Sequence, residues 1–182
     1  TLTYTLAANA NGIANVEVVL SDNGGIDYGG VDTSIPHAFF IIVESVNDVP
    51  SFTAGDDEEV IEDSGLDLFH EVTGWADNIS PGPPDELGQT LNFNVSNNTN
   101  ELFSIQPAID SNGTLTYTLA ADAHDTCTVT VILSDNGGEA DGGIDSSDPQ
   151  DFIIVVTPVP DKPSITNAST YEDNLTTSGI II

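Results

Sequence analysis

The chain has 182 residues, with one Lys or Arg (Lys162) against 30 Asp and Glu, and a formal net charge of −29. That balance excludes direct binding to nucleic-acid phosphates or to an anionic membrane surface, because the cations for such contacts are missing. It favours the attraction of cations, although acids scattered over a surface equally serve solubility or suit salty water.

Hydrophobic residues make up 38% of the chain, enough to build a core. Val, Ile, Leu and Phe mixed with many Thr favour strands over helices. No apolar run approaches the ~20 residues that span a bilayer, and no export signal is visible.

From the first residue onward the chain repeats itself. TLTYTLAANA at Thr1 returns as TLTYTLAADA at Thr114, an offset of 113 (114 − 1). At the same offset Val19–Gly25 meets Ile132–Gly138, Gly29–Pro36 meets Gly142–Pro149, and Asn47–Ser51 meets Pro160–Ser164. Sequential copies of one domain are the expectation. Residues 1–49 then close one repeat with its last three strands, E, F and G. Residues 50–163 form a complete repeat, and residues 164–182 open a third.

Within the complete repeat, β-rich runs are predicted at Ser51–Ile61 (A), Leu68–Trp75 (B), Thr90–Ser96 (C), Leu102–Ile109 (D), Thr114–Leu119 (E), Thr126–Leu133 (F) and Phe152–Thr157 (G). Gly, Pro, Asn and Asp separate them. Alternation places Leu115, Tyr117 and Leu119 on one face and threonines on the other. Cys127, Val129, Val131 and Leu133 share a second inward face, with Phe152 and Ile154 beside them. Seven short strands in about 110 residues without a helix predict an all-β fold, an antiparallel sandwich of immunoglobulin or cadherin type. Residues 1–46 lack strands A to D, so Leu20 and Phe39 are expected to stay uncovered unless another chain or other residues complete them.

Such a sandwich gathers the linker, B–C and F–G loops at its upper end, and the A–B and E–F loops with the outgoing linker at its lower end. The acids divide accordingly. Asn47, Asp48, Asp77, Asp85, Glu86, Asp135, Asn136, Asp141 and Asp145 lie above; Glu62, Asp63, Asp122, Asp125 and Asp161 lie below. Glu172 and Asp173 repeat the Glu62–Asp63 pair. Like charges ~4 Å apart repel by about 1 kcal/mol even in water. Converging carboxylates therefore need a cation, and Ca²⁺, with about six to eight oxygen ligands in flexible geometry, suits such loops.

The NDVP linker, the Glu-Asp pair on the first strand and the SDNGG loop resemble the cadherin-like (immunoglobulin-like, VCBS-type) tandem repeats of bacterial giant adhesins and surface proteins. The resemblance covers the whole chain. It implies calcium between successive domains, with Asp48, Glu62, Asp161 and Glu172 as junction ligands. Asp48 is the expected bridge at the complete junction, joined by Asp85, Glu86 and Asp135 of the repeat that follows; at the other end the expected ligands are Glu62, Asp122 and Asp161. Asp135 and Asp145 could instead brace the F–G loop from within. The second linker reads VPDKP in place of VNDVP, so the Asn is lost and Lys162 intrudes.

Other features carry less. SDNGG and DGGID lack the spacing of an EF-hand loop, and their glycines fit a hairpin turn. His37, His70 and His124 fall in separate elements without metal spacing. Cys127 reads as a small core residue, and Trp75 as a packing aromatic or a sugar platform. The sequons at Asn78, Asn94, Asn97, Asn112, Asn167 and Asn174 are as frequent as Asn and Thr make them by chance. No Ser sits on a nucleophile elbow, so no enzyme is expected. Two classes remain: an extracellular spacer whose partners are neighbouring repeats or other copies in a filament, and a polysaccharide-binding module.

Overall fold

The structure is a computed structural model, and it describes residues 1–62 and 68–160. Asp63, Asp161, Lys162, Glu172 and Asp173, with the expected opening of a third repeat, lie outside the described residues. Among those described, no helix is long and apolar enough to cross a membrane.

The chain is all-β. A hairpin of β1 (Gly12–Val18) and β2 (His37–Val43) comes first. The sandwich follows with β3 (Ser51–Thr53), β4 (Glu58–Ile61), β5 (Phe69–Val72), β6 (Asp77–Ser80), β7 (Asn92–Asn97), β8 (Phe103–Ile109), β9 (Leu115–Leu119), β10 (Thr126–Ser134) and β11 (Gln150–Thr157). One sheet has the order β4-β11-β10-β7, the other β5-β9-β8, and β3 pairs with β6 at the upper rim. The only helical segments among the described residues are three-residue 3-10 turns.

The two sheets close on one core. Cys127, Val129, Val131 and Leu133 of β10, with Phe152, Ile154 and Val156 of β11, face Leu115, Tyr117 and Leu119 of β9. All nine residues assigned inward by alternation are buried. Rings fix the seams: Trp75 tilts on Phe152 at 4.4 Å between centroids, and Phe103 meets Tyr117 edge-on at 5.8 Å. Trp75 donates its indole N–H to the Asp56 carbonyl at 3.1 Å, so it is a core aromatic with its polar edge satisfied. His70 stacks on Tyr117 at 4.9 Å, and Cys127 is a buried free thiol. Pro107 falls on β8, an edge strand, where no ladder donor is lost.

Two details differ from the sequence expectation. The single A strand is two: β3 pairs antiparallel with β6, then the chain crosses over and β4 runs parallel to β11. The Asp56–Asp57 turn makes the crossover, and Asp57 Oδ1 accepts the Ile153 N–H at 2.7 Å. The stretch expected as the start of the B–C loop forms β6, because it finds β3 alongside.

Residues 1–6 carry the sequence of β9 but form no strand, which corrects the expected E strand of that segment. In the sandwich β9 lies between β5 and β8, and residues 1–6 have no such neighbours, so Leu2, Tyr4 and Leu6 stay exposed. Leu20 is 75% exposed and Phe39 half-buried, where their counterparts Leu133 and Phe152 are buried. Local turns nevertheless repeat faithfully. Asp22 N–H donates to the Asp32 carbonyl as Asp135 N–H does to Asp145, both at 2.9 Å. Tyr28 and Asp141 take the same left-handed φ, 56° and 57°.

Candidate functional site

The upper end of the sandwich is organised around the incoming linker. Pro50 is buried at the start of β3, which plants the linker over the B–C and F–G loops. The B–C loop descends through a 3-10 turn, Pro84–Glu86, with proline at its first position where no N–H is needed. The F–G loop arches over SDNGG through a second such turn, Ala140–Gly142.

Asn47 joins the three segments. Its Nδ2 donates to Asp135 Oδ1 at 2.9 Å and to the Ile144 carbonyl at 2.8 Å. Its Oδ1 accepts Gln89 Nε2 at 2.7 Å, and its own carbonyl accepts the Ile144 N–H at 3.1 Å. Asp48 is anchored beside it, its N–H donating to Glu86 Oε1 at 2.8 Å. Two glycines make the approach possible. A Cβ on Gly137 would lie 1.9 Å from Asn47 Oδ1, and one on Gly82 would lie 1.9 Å from Glu86 Oε2.

Those bonds leave three acceptors without a donor. Glu86 Oε2, Gln89 Oε1 and Asp135 Oδ2 are each buried and unpartnered, and the Glu86 side chain as a whole is 5% exposed. A carboxylate oxygen stripped of water with no donor costs several kcal/mol unless a cation meets it. The set is two acids and one amide. Among the described residues no group of three His, Cys, Asp or Glu side chains stands positioned to hold a metal by itself. Carboxylate and amide oxygens are nonetheless the donor types that a hard cation accepts.

Below this corner a cleft of about 440 Å³ separates the sandwich from the hairpin unit. Leu6–Asn11 and the linker form one wall, Asp85, Gly142 and Ile144 the other, and no aromatic side chain lines it. Asn11 Nδ2 crosses the gap to Asp85 Oδ2 at 2.5 Å.

Of the upper residues expected as ligands, Asn47 meets Asp135 through its side chain, Asp48 meets Glu86 through its backbone N–H, and Asp85 is engaged by Asn11. Asp145 braces the F–G loop: its carbonyl accepts the Asp135 N–H, and its carboxylate accepts the Ser146 hydroxyl at 3.0 Å. Asn136 holds the Thr90 N–H at 2.7 Å, and Asp77 caps its neighbour Asn78 at 2.7 Å. Asp141, exposed at its left-handed position, lines a small cleft with Asp85, Glu86 and Gln89.

At the lower end Glu62 is 4% exposed and already engaged. Its Oε2 lies 2.9 Å from His124 Nδ1, and its Oε1 accepts the Val159 N–H at 3.1 Å. Asp122 is exposed with φ 57°, and Asp125 caps Thr126 at 2.7 Å. Gln89, Asn11 and His124 carry contacts that sequence reasoning passed over. Gln89 has no charge to mark it, and the partners of Asn11 and His124 lie 74 and 62 positions away.

No protein-family model matches the chain, and a search of curated proteins finds no match. A solved structure of human protocadherin-24 EC1-2 is similar, at 18% identity with a TM-score of 0.49, covering 85% of this chain and 70% of that one.

Proposed function

We propose that the chain is a stretch of an extracellular tandem-repeat rod, a spacer or assembly segment of a surface adhesin or filament that calcium stiffens at its junctions. Residues 1–49 close one repeat, 50–163 form the next, and 164–182 open another. The partners are neighbouring repeats in the same chain and other copies in a filament. The observation that carries the reading is the trio of buried, donorless oxygens on Glu86, Gln89 and Asp135, next to the linker residue Asp48.

Calcium would be held there by Glu86 and Asp135, with Asp48 and Asp85 at the rim. The bound ion would supply positive charge where the fold concentrates negative charge. Without it, the carboxylates oppose one another and the linker is tied to the sandwich by the bonds of Asn47, the Asp48 N–H and the buried Pro50. The repetition of turns and loops at a fixed offset supports a rod, which needs each unit to be built alike. A cleft without aromatics does not offer the stacking platform that a polysaccharide would use.

The test is thermal melting and small-angle scattering on two or more complete repeats, in calcium and then in excess chelator. A rise in melting temperature and a fixed maximum dimension in calcium support the rod. No change in either, with Asp48→Ala behaving like the parent, refutes it.

A further inference from the structure

We propose that Gln89 is a direct ligand of the junction cation, and that the Ala7–Gly12 loop on the other side of the cleft supplies none, serving only as a latch through Asn11. This inference rests on the calcium reading above and specifies which of this chain's residues meet the ion.

The orientation of the Gln89 amide follows from its neighbours. Asp135 Oδ1 and the Ile144 carbonyl can only accept, so Asn47 must turn Nδ2 toward them, at 2.9 and 2.8 Å. That leaves Asn47 Oδ1 facing Gln89, which must answer with Nε2 at 2.7 Å. Gln89 Oε1 is therefore the free end, buried and without a donor, as are Glu86 Oε2 and Asp135 Oδ2. A neutral oxygen suits this place, since it adds coordination without adding to the repulsion between the two acids.

The facing loop has lost its acids. At the offset of 113, Asn9, Asn11 and Gly12 stand where the sandwich's own lower loop has Asp122, His124 and Asp125. At Asn9 the backbone is kept, φ being 57° as at Asp122, so the change there is one of chemistry; Gly12 takes φ 114°, which Asp125 does not, so that position differs in backbone as well. Asn11 uses its amide N–H on Asp85, which holds the two units in contact while leaving the ion to the sandwich and linker.

The experiment is calcium titration of the full chain by calorimetry, with terbium luminescence as a second probe, and melting in chelator to confirm folding. Gln89→Met, which keeps the length and removes the oxygen, is expected to weaken calcium at least ten-fold. The variant Asn9→Asp, which restores the acid that the other loop carries at Asp122 on the same backbone, is expected to leave affinity within two-fold. A parent that binds calcium while Gln89→Met binds equally well, or a ten-fold gain in Asn9→Asp, overturns this inference and leaves the rod reading standing. A parent that binds no calcium overturns both. Should Gln89→Met not fold, Gln89→Ala is titrated in its place against the same ten-fold criterion.

Discussion

Asn47 and Asp135 are separated by 88 positions in the chain and joined by one hydrogen bond of 2.9 Å. That bond ties the linker to the loop between β10 and β11, and it uses one of the two carboxylate oxygens. The other, Oδ2, is buried without a donor, which under the calcium reading makes it the ligand oxygen. Replacing Asn47 therefore affects the linker and the ligand together. Asn47→Ala is expected to cost about 1–3 kcal/mol, because it orphans the Gln89 amide and the Ile144 carbonyl as well. Chemical denaturation in chelator reads this loss, and a loss below 0.5 kcal/mol, about the noise of such measurements, would show the clamp to be incidental.

Gly137→Ala probes the same corner by crowding it. The added methyl would fall 1.9 Å from Asn47 Oδ1 and 2.6 Å from Gln89 Nε2. The amide pair must separate, so calcium affinity and apo stability both fall. At the matching Gly24 a methyl would meet only the Asp22 carboxylate, at 3.1 Å, and Gly24→Ala is expected to be nearly silent. Equal effects at the two glycines would contradict the clamp.

Leu133 and Leu20 hold the same position in two copies of one sequence. Leu133→Ala empties a site in the sandwich core and should cost about 2–5 kcal/mol. Leu20→Ala removes a side chain that is 75% exposed and should cost less than about 0.5 kcal/mol in this chain. Placed in a longer chain with a full preceding repeat, Leu20→Ala should become as costly as Leu133→Ala. Parity of the two variants already in this chain would mean that the hairpin unit is covered in solution.

Two carboxyls predict opposite responses to acid. Burial, and secondarily the Asp56 charge, hold the Glu58 carboxyl above the usual carboxylate range. Its folded form binds a proton more readily than its unfolded form, so Glu58 destabilises at neutral pH, and that penalty fades as pH falls through its raised value. Glu58→Gln should therefore raise the melting temperature at pH 7 and lose its advantage near pH 4.

Asp110 has its carboxyl lowered, first by the Thr114 backbone N–H and also by that of Asn112, both donating to Oδ1 at 2.9 Å. Its contribution is present above the ordinary aspartate value and is lost as pH falls through the lowered one. Asp110→Ala should thus destabilise at pH 7 and match the parent only in stronger acid. Melting curves across pH 2–7 on the two variants would show the slopes diverging; parallel slopes would refute both assignments.

The strands and core were legible because a half-buried sheet writes itself as alternation: Cys127, Val129, Val131 and Leu133 can share only one face. The split of the first strand was hidden, since Ser51–Ile61 reads as one β-rich run and only its two different neighbours divide it. Residues 1–6 show the same limit from the other side, having the sequence of β9 without strands to pair with. At the upper end, charge is what singled out Asp48, Glu86 and Asp135 in the sequence as candidates. An amide both donates and accepts, so residue type alone could not separate Asn47, whose side chain is fully engaged, from Gln89, which keeps an oxygen free. The Glu62–His124 pair was illegible because burial, not spacing, creates it.

The parallel pairing of β4 with β11 bears on how the molecule responds to force. Ile154 lies opposite Glu58 and Thr157 opposite Ile61, with both strands running the same way. The chain enters the sandwich through the short β3, crosses to β4, and leaves just after β11. Tension that reaches β4 and β11 drags the strands past each other, loading the ladder bonds together in shear. An antiparallel hairpin pulled at its open end unzips one rung at a time; here the rungs must fail as a set.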